Sequence, residues 1–369
     1  MRILVLTTDA FGSHGGIAKY NRDFLTALCT YPGCTEVVAI PRYLAETPGS
    51  LPERLTYVTD SAGSKLKYVV NASRLVFHDR RFDLVVCGHI NLLPLANMLA
   101  RWIGTPMTLI IYGIDVWEPH RSRLVNWSLK HVQRIISISD ITKTKFLKWA
   151  RLPAENVSIL PNAIDVDRYR VGAKDPLLVE RYGLHEKKVL MTLGRLMSNE
   201  RYKGVDEVLE ILPELLVANS TILYMVVGDG TDRRRLEEKA AALGVRSNVV
   251  FTGFVPETEK ANYYRLADVF VMPGRGEGFG FVFLEAMACG IPVVASKLDG
   301  SREAVRNGDL GILVDPNNHE EIKAGVLDAL NKPKGIIPDG LEYFSYKNFE
   351  KRLHSIIEQI VTEEKPKRL

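Results

Sequence analysis

The sequence has no long hydrophobic run. No apolar segment in its 369 residues approaches the roughly 20 residues that a membrane-spanning helix needs. The short apolar run RILVLT at residues 2–7 predicts a first β-strand better than a signal peptide, which has a longer apolar region and a cleavage site. We therefore expect a protein that stays in the cytoplasm.

Cysteine is also scarce. The four cysteines, Cys29, Cys34, Cys87 and Cys289, form no CxxC pair and lie in apolar surroundings. This pattern predicts buried free thiols in a reducing compartment. The sequence has no metal-ligand spacing, so we predict no metal site. It also lacks the internal repeats of about 20 to 50 residues that mark repeat architectures.

The net charge is small, at +4, and we predict no nucleic-acid partner. The charge is unevenly spread, because residues 1–165 contain 19 Lys and Arg against 13 Asp and Glu. A basic half indicates either an anionic partner such as a lipid surface or an ordinary solvated face. The length predicts two domains, since single cores stop growing near about 250 to 300 residues.

Apolar segments of strand length alternate with helical segments along the chain. Strands are predicted at 2–7, 36–41, 83–87, 107–112, 134–138 and 156–160, and in a second series at 187–194, 222–228, 248–253, 269–274 and 292–296. This alternation predicts a parallel, doubly wound sheet in each half. Ligands of such sheets bind beyond the carboxyl ends of the strands, so we expect the loops at those ends to form the site.

One glycine-rich segment follows a predicted strand. Residues 274–290 read GRGEGFGFVFLEAMACG and place four alternating glycines before an apolar helix. Glycine lets a ligand approach the backbone closely, and a helix that begins there points free N–H groups at an anion. Glu277 and Glu285 can then face one polyhydroxy ligand. The alternative is a glycine turn with two solvated acids.

We expect three further features to converge with this glycine-rich segment. Gly15-Gly16 at the start of the first helix is either a backbone anion site or a plain tight turn. Arg195 and Lys203, near the first strand of the second half, suit a diphosphate, with solvated charges as the alternative. Thr252–Val255 ends a strand whose backbone groups can pair with the edge of a base.

Taken in their order along the chain, these segments resemble glycosyltransferase family 4, a group of retaining enzymes that use nucleotide sugars. The resemblance covers about residues 1–330 and rests on GGIAKY, YGIDVW, PNAIDVDRY, LGR with YKG, VVGDG, TGFV, EGFGFVFLEAMACGIPVVAS and GILVDP. It implies the GT-B fold, in which two Rossmann-like doubly wound domains face each other across a cleft. We expect an acceptor-side domain at 1–165, a nucleotide-sugar domain at 166–345, and a C-terminal helix at about 346–369 that returns to the first domain.

The resemblance also implies a set of donor-binding residues. The N–H of Gly16 would bind the β-phosphate of the donor. Arg195 and Lys203 would neutralise the diphosphate, and Glu285 would hold the ribose hydroxyls. Preorganised cations and N–H groups near the departing diphosphate lower the barrier to transfer.

The transferred sugar and the base have their own implied contacts. Glu277 would meet hydroxyls of the sugar, with the backbone of Phe279 and Gly280 nearby, and Val255 would meet the base through its main chain. Such enzymes retain the anomeric configuration by front-face attack, in which the leaving phosphate oxygen helps to take the acceptor's proton. This mechanism needs no side-chain nucleophile, metal or cofactor. We expect a UDP- or GDP-sugar donor and a glycan or lipid-linked saccharide acceptor.

The chain departs from the family pattern in three places. Tyr112 stands where many relatives have a histidine, and tyrosine does not titrate near neutral pH. Asp115 is the nearest polar substitute, and His14 is another candidate on the acceptor side. PNAID has Ala163 where glycine is common, and DGSRE at 299–303 replaces the usual glycine pair. We expect these changes to alter acceptor or sugar fit.

Two basic segments of the first half have apolar neighbours. They contain Lys65, Lys67, Arg74, Arg80 and Arg81, and then Lys143, Lys145, Lys148 and Arg151 beside Phe146 and Trp149. Peripheral contact with the inner face of the membrane needs this combination. An ordinary solvated helix face is the alternative.

The sequence leaves other functions open. A GT-B-shaped epimerase would convert a nucleotide sugar without an acceptor, and a phosphorylase would need a lysine carrying pyridoxal phosphate, for which no candidate stands out. A catalytically silent sugar-nucleotide-binding protein is a third possibility. The substitution at Tyr112 favours it, whereas the presence of Glu277, Glu285, Arg195 and Lys203 argues against it.

Overall fold

The computed structural model describes residues 1–364, which form two compact units. Unit 1 contains residues 1–163 and the C-terminal helix, and unit 2 contains Ile164–Ser345. The end of the helix predicted at about 346–369 lies outside the described residues.

The elements of residues 1–163 alternate between strand and helix. They are β1 (Arg2–Thr7), α1 (Gly16–Thr30), β2 (Glu36–Pro41), β3 (Leu55–Tyr57), α2 (Lys65–His78), β4 (Leu84–Cys87), α3 (Leu93–Ile103), β5 (Met107–Ile111), α4 (Arg123–Leu129), β6 (Arg134–Ser137), α5 (Asp140–Ala150) and β7 (Val157–Ile159).

These strands form one parallel sheet of seven strands in the order β3-β2-β1-β4-β5-β6-β7. The central strands are buried along almost their whole length, as expected for a parallel sheet with helices on both faces. The strand order reverses between β1 and β4. The carboxyl ends of these two strands therefore flank the position where doubly wound sheets bind ligands.

Unit 2 repeats the alternation. Its elements are α6 (Pro176–Tyr182), β8 (Lys188–Leu193), a short 3₁₀ helix (Arg201–Lys203), α7 (Val205–Ala218), β9 (Ile222–Val227), α8 (Arg233–Ala242), β10 (Val249–Gly253), α9 (Lys260–Leu266), β11 (Val269–Val271), α10 (Phe281–Ala288), β12 (Val293–Ser296), α11 (Ser301–Ala304), β13 (Ile312–Val314) and α12 (His319–Asn331).

The six strands of unit 2 are parallel and have the order β10-β9-β8-β11-β12-β13. This is the strand order of a Rossmann fold. The order reverses between β8 and β11, so the loops after these two strands flank the expected ligand position. The doubly wound α/β architecture predicted for both halves of the chain is confirmed.

The last helix, α13 (Tyr346–Glu364), belongs to unit 1. It packs against α1, where the rings of Tyr20 and Phe349 meet edge to face with centroids 5.7 Å apart. Both side chains are buried. The buried apolar residues of this helix, Phe349, Leu353, Ile356, Ile357 and Ile360, therefore contribute to the core of the first unit.

Candidate active site

Two groups of predicted donor residues in unit 2 lie near the carboxyl ends of β8 and β11. Gly194 and Arg195 follow β8, and residues 274–280, which we call the glycine-rich loop, come shortly after β11. The two strands pair directly, with Leu190 opposite Val269. The fold thus brings sequence segments about 80 positions apart to the point where the strand order reverses.

Lys203 and Glu277 are brought together at this edge. The Lys203 ammonium lies 3.7 Å from Glu277 Oε2, and both side chains are largely buried. Gly204, which has a φ of 84°, ends the short helix of Lys203; a Cβ there would lie 2.5 Å from the Pro273 carbonyl oxygen. A glycine is therefore needed for Lys203 to lie this close to the loop.

Arg195 pairs with a different carboxylate. Its guanidinium lies 2.7 Å from Glu200 Oε1, and 74% of its side chain is exposed. Tyr202 lies close enough to Glu200, Glu277 and Arg195 for their charges to affect it. Burial is the main cause that raises the pKa of its hydroxyl. The two carboxylates raise this pKa further, and Arg195 lowers it. The charges of Arg195 and Glu277 thus both act on the Tyr202 hydroxyl.

The two glutamates of the E-x7-E element have different surroundings. Glu285 lies within α10 and is 2% exposed, and its Oε2 accepts a hydrogen bond from the Tyr264 hydroxyl at 2.9 Å. That carboxylate contributes to a raised pKa of Tyr264, whose main cause is burial. Glu277 is instead part-exposed beside a lysine. The two carboxylates therefore cannot perform the same task.

The remaining predicted donor residues of unit 2 are Phe279, Gly280 and Val255. Phe279 is buried against Phe344, with ring centroids 5.5 Å apart. Gly280, with a φ of 95°, precedes the first turn of α10. Val255 follows β10 and is buried, while the preceding Phe254 is exposed. Phe254 is an exposed aromatic next to the predicted base contact that sequence reasoning missed.

In unit 1, Gly16 is the first residue of α1, preceded by Gly15 at the N-cap with a φ of 104°. The loop from β1 to α1 thus lies at the reversal point of this sheet. His14, in the same loop, is exposed, and its Nε2 lies 3.3 Å from Glu46 Oε1.

Tyr112 is buried within unit 1. Its hydroxyl lies 2.7 Å from Asn21 Oδ1 and 2.9 Å from the Gly88 carbonyl oxygen, and burial raises its pKa well above the usual value. Its ring stacks on that of His89, with centroids 6.2 Å apart. Burial lowers the pKa of His89 to about 4. Both rings are therefore neutral at physiological pH.

Asp115, another predicted acceptor-side residue of unit 1, differs from Tyr112 in having a pKa near neutral pH. Its Oδ2 is buried and has no hydrogen-bond partner among the described residues. Burial raises the pKa of the carboxyl to about 7, although backbone hydrogen bonds from Asp115, Gly113 and Tyr112 lower it. A carboxyl that titrates near neutral pH suits general acid–base chemistry. The sequence alone shows an aspartate at this position, but not that its carboxyl is buried.

The basic segments of unit 1 differ in what they expose. In α5, Phe146 is fully buried and the Trp149 indole N–H donates to the Val116 carbonyl. Phe146 packs in the core, so it offers no apolar surface beside the lysines of this segment. On α2, by contrast, Leu66 is 75% and Phe77 59% exposed.

A second aromatic residue joins this surface of α2. The ring of Trp102, on α3, lies 5.5 Å from that of Phe77, and the Arg80 guanidinium lies 5.2 Å from the Trp102 ring. We call Leu66, Val69, Phe77 and Trp102, with the basic residues Lys67, Arg74 and Arg80, the α2 patch. Trp102 was not predicted as part of this surface, since only folding brings α3 to α2.

Two features of the described residues concern metal binding and membrane insertion. Among residues 1–364, no group of three or more His, Cys, Asp and Glu side chains could hold a metal ion. In the same residues, no helix combines the length and apolar character needed to cross a membrane.

Solved structures with the same architecture define the fold class. The structure of HepE from Anabaena in complex with UDP superimposes with a TM-score of 0.76 and 19% identity, over 97% of this chain and all of that chain. The lipopolysaccharide outer core galactosyltransferase WaaB superimposes with a TM-score of 0.73 and 18% identity, over 97% and 99%. The predicted GT-B fold class is confirmed.

Sequence comparison then defines the family. The family described as "Glycosyltransferase Family 4" matches residues 14–168, and "Glycosyl transferases group 1" matches residues 178–347. The GDP-mannose-dependent alpha-(1-6)-phosphatidylinositol monomannoside mannosyltransferase of Mycolicibacterium smegmatis is 35% identical over 264 residues, which are 63% of this chain and 67% of that protein. The chain belongs to glycosyltransferase family 4, and the predicted enzyme class is confirmed.

A further relative has another sugar in its name. The alpha-D-kanosaminyltransferase of Streptomyces kanamyceticus is 27% identical over 252 residues, which are 64% of each protein. The chain thus spans about two thirds of the length of these curated relatives.

Proposed function

We propose that the protein transfers a sugar from a UDP- or GDP-sugar to a glycan or lipid-linked saccharide, with retention of the anomeric configuration. The observation that carries this proposal is the approach of Lys203 to Glu277, 3.7 Å apart at the carboxyl ends of β8 and β11. An ammonium and a carboxylate at this point suit a ligand that carries both a diphosphate and sugar hydroxyls.

Each residue of unit 2 has one task in this proposal. Lys203 and Arg195 neutralise the charge that develops on the departing diphosphate, where fixed cations are most effective. Glu277 accepts hydrogen bonds from hydroxyls of the transferred sugar. Glu285 holds the ribose, and the main chain of Val255 meets the base.

The transfer itself is a front-face reaction. The bond from the anomeric carbon to the diphosphate breaks, the acceptor hydroxyl oxygen forms the new bond on the same face, and its proton passes to the leaving phosphate oxygen. No side-chain nucleophile, metal or cofactor takes part. The N–H of Gly16 is a further candidate hydrogen-bond donor to the β-phosphate of the sugar nucleotide.

A GDP-sugar is the donor we favour. The relative with 35% identity is named a GDP-mannose-dependent enzyme, whereas the protein solved with UDP-glucose is 19% identical. The same relative acts on a phosphatidylinositol monomannoside by its name, which supports a lipid-linked acceptor.

Thermal unfolding with GDP, UDP, ADP and their sugars tests the donor. A ligand present at a hundred times its Kd stabilises the folded state by about 2.7 kcal/mol. We expect GDP-mannose and GDP to raise the unfolding temperature most. A protein that none of these compounds stabilises would contradict the proposal.

The stereochemistry and the metal requirement are tested on the product. ¹H NMR of the first product formed should show the anomeric configuration of the donor. Turnover should be unchanged by EDTA. An inverted product, or loss of turnover that Mg²⁺ or Mn²⁺ restores, would contradict this part of the proposal. Conversion of the sugar without any acceptor would favour the epimerase.

We further propose that the α2 patch contacts an anionic lipid surface. It combines exposed leucine, phenylalanine and tryptophan with basic residues, and each lysine or arginine near an anionic bilayer contributes about 1 kcal/mol. The apolar side chains would enter the interface while the cations meet lipid phosphates.

Vesicle sedimentation tests this contact. The protein should sediment with vesicles containing phosphatidylglycerol and less with pure phosphatidylcholine. The double variant Leu66→Glu with Phe77→Glu should lose this binding. The control Leu177→Glu, at an equally exposed leucine of unit 2, should keep it. Equal binding by both variants, or no binding of the wild type, would overturn the proposal.

A further inference from the structure

Asp299 is a fully buried carboxylate beside the glycine-rich loop. It lies between β12 and α11, three residues after the strand. Its Oδ1 accepts hydrogen bonds from the Ser301 N–H at 3.0 Å and the Ser301 hydroxyl at 2.6 Å. Its Oδ2 accepts the Glu277 N–H at 3.0 Å. Asp299 therefore ties the turn before α11 to the glycine-rich loop.

Gly300, the residue after Asp299, also hydrogen-bonds to the main chain of Glu277. The Gly300 N–H donates to the Glu277 carbonyl at 2.8 Å. This approach requires glycine, because a Cβ on Gly300 would lie 2.1 Å from the Gly278 carbonyl oxygen. Both main-chain polar groups of Glu277 are thus bound by consecutive residues of one turn.

The side chain of Glu277 is the part of the residue that faces Lys203. Its direction is set by its main chain, and its main chain is set by the turn. Small displacements of a group that meets a reacting sugar are costly, since supporting contacts must hold such groups in their productive geometry. A change at Asp299 therefore reaches the reacting sugar through Glu277.

We propose that Asp299 is a positioning residue for Glu277: its carboxylate fixes the main chain of Glu277 so that the side chain meets the transferred sugar. The inference rests on the proposed function, in which Glu277 binds that sugar. Asp299 is buried and acts only through Glu277.

The charge of Asp299 makes this positioning sensitive to pH. Burial raises the pKa of its carboxyl to about 6, and the Glu277 charge raises it too, whereas hydrogen bonds from Ser301 and Glu277 lower it. Tyr202 lies within electrostatic range of Asp299, and Lys203 borders Gly274 as Asp299 does. Protonation removes the negative charge that strengthens the hydrogen bond from the Glu277 N–H. Turnover should therefore fall as the pH drops through about 6.

The test compares Asp299→Asn with a matched control, Asp165→Asn. Asp165 also accepts backbone N–H bonds in unit 2, but from Asp167 and Arg168. In hydrogen–deuterium exchange at pH 7, we expect about tenfold faster exchange of residues 274–283 in Asp299→Asn alone, as one weakened hydrogen bond to a charged group implies. Turnover should fall about tenfold with the donor KM nearly unchanged.

The pH profile distinguishes positioning from a merely structural role. The wild type and Asp165→Asn should lose turnover below about pH 6, and Asp299→Asn should not show this loss. Unchanged loop exchange in Asp299→Asn, or an acid limb that persists in it, would overturn the inference.

The same experiments distinguish failure of the proposed function from failure of the inference about Asp299. If the wild type neither binds nor turns over any donor, the proposed function fails, while the exchange experiment still decides whether Asp299 fixes the loop. If Asp299→Asn does not fold, exchange of the wild-type loop at pH 7 and pH 5, corrected for intrinsic rates, replaces it. The loop should then exchange faster at pH 5, and equal protection would overturn the inference.

Discussion

At the scale of single residues, the pair formed by Lys203 and Glu277 is the centre of the account. The two side chains come from loops after different strands, and their charged groups lie 3.7 Å apart. Such fixed charges need no reorganisation when charge develops on a leaving group. Glu285 is buried and accepts a hydrogen bond from Tyr264, which suits binding more than chemistry.

Lys203→Ala should lower turnover about a hundredfold, the usual effect of removing one preorganised group that stabilises developing charge. Release of nucleoside diphosphate measures this. Lys260→Ala is the matched control, because Lys260 lies 2.6 Å from Glu257 and is similarly exposed. Equal losses in the two variants would contradict the role of Lys203.

Asp115→Asn should change how stability depends on pH. The folded protein holds the pKa of Asp115 at about 7, above its usual value of about 3.9. Between these values the folded chain keeps a proton that the unfolded chain releases, so the contribution of Asp115 to stability is lost as the pH rises towards 7.

The amide of Asn avoids this loss. Asp115→Asn should unfold at a higher temperature than the wild type at pH 8, and the difference should disappear near pH 4. Asp165→Asn replaces an exposed acid, so its effect on the unfolding temperature should not change in this way between pH 4 and pH 8. A difference that is the same at both pH values would contradict the prediction.

At the scale of elements, α13 is needed to complete the core of unit 1. Phe349 is fully buried and packs on Tyr20 of α1. Phe349→Ala should lower the free energy of unfolding by about 3 kcal/mol, the lower end of the range for a buried phenylalanine. Denaturant unfolding measures this, with Val217→Ala, at a 90% exposed position, as the control. A loss under about 1 kcal/mol would mean that the core is complete without α13.

Much of this element pattern can be predicted from sequence, because buried parallel strands are continuous apolar runs bounded by turns. β1 and β2 were predicted with the bounds that the structure shows. β3 and β13 were not predicted; each has three residues, none fully buried in β3 and one in β13, whereas β11, equally short, is buried throughout and was predicted. The fold class needed only the alternation.

The site could be predicted only as a set of candidate residues. The hydrogen bond from Glu277 to Asp299 joins residues 22 positions apart, and no periodicity indicates it. The inward direction of the Tyr112 hydroxyl depends on Asn21 and Gly88, which lie on other elements. Phe146 stands among lysines in the sequence, yet it packs in the core. Contacts between loops of different strands are set by folding, not by local pattern.

At the scale of the whole molecule, the two units share one plan. Each has a parallel sheet whose strand order reverses once, and in unit 2 the carboxylate and cation of the proposed donor site lie at that reversal. A family 4 glycosyltransferase with this arrangement should release a nucleoside diphosphate only when sugar leaves the donor.

The most direct measurement is release of nucleoside diphosphate from GDP- and UDP-sugars, with and without a lipid-linked saccharide, by the wild type and by Glu277→Ala. The account predicts release from one donor, faster with the acceptor, and about a hundredfold slower in Glu277→Ala, with the affinity for the free nucleotide unchanged. A wild type that releases no nucleotide from any of these donors, or a Glu277→Ala variant with full release, would contradict it.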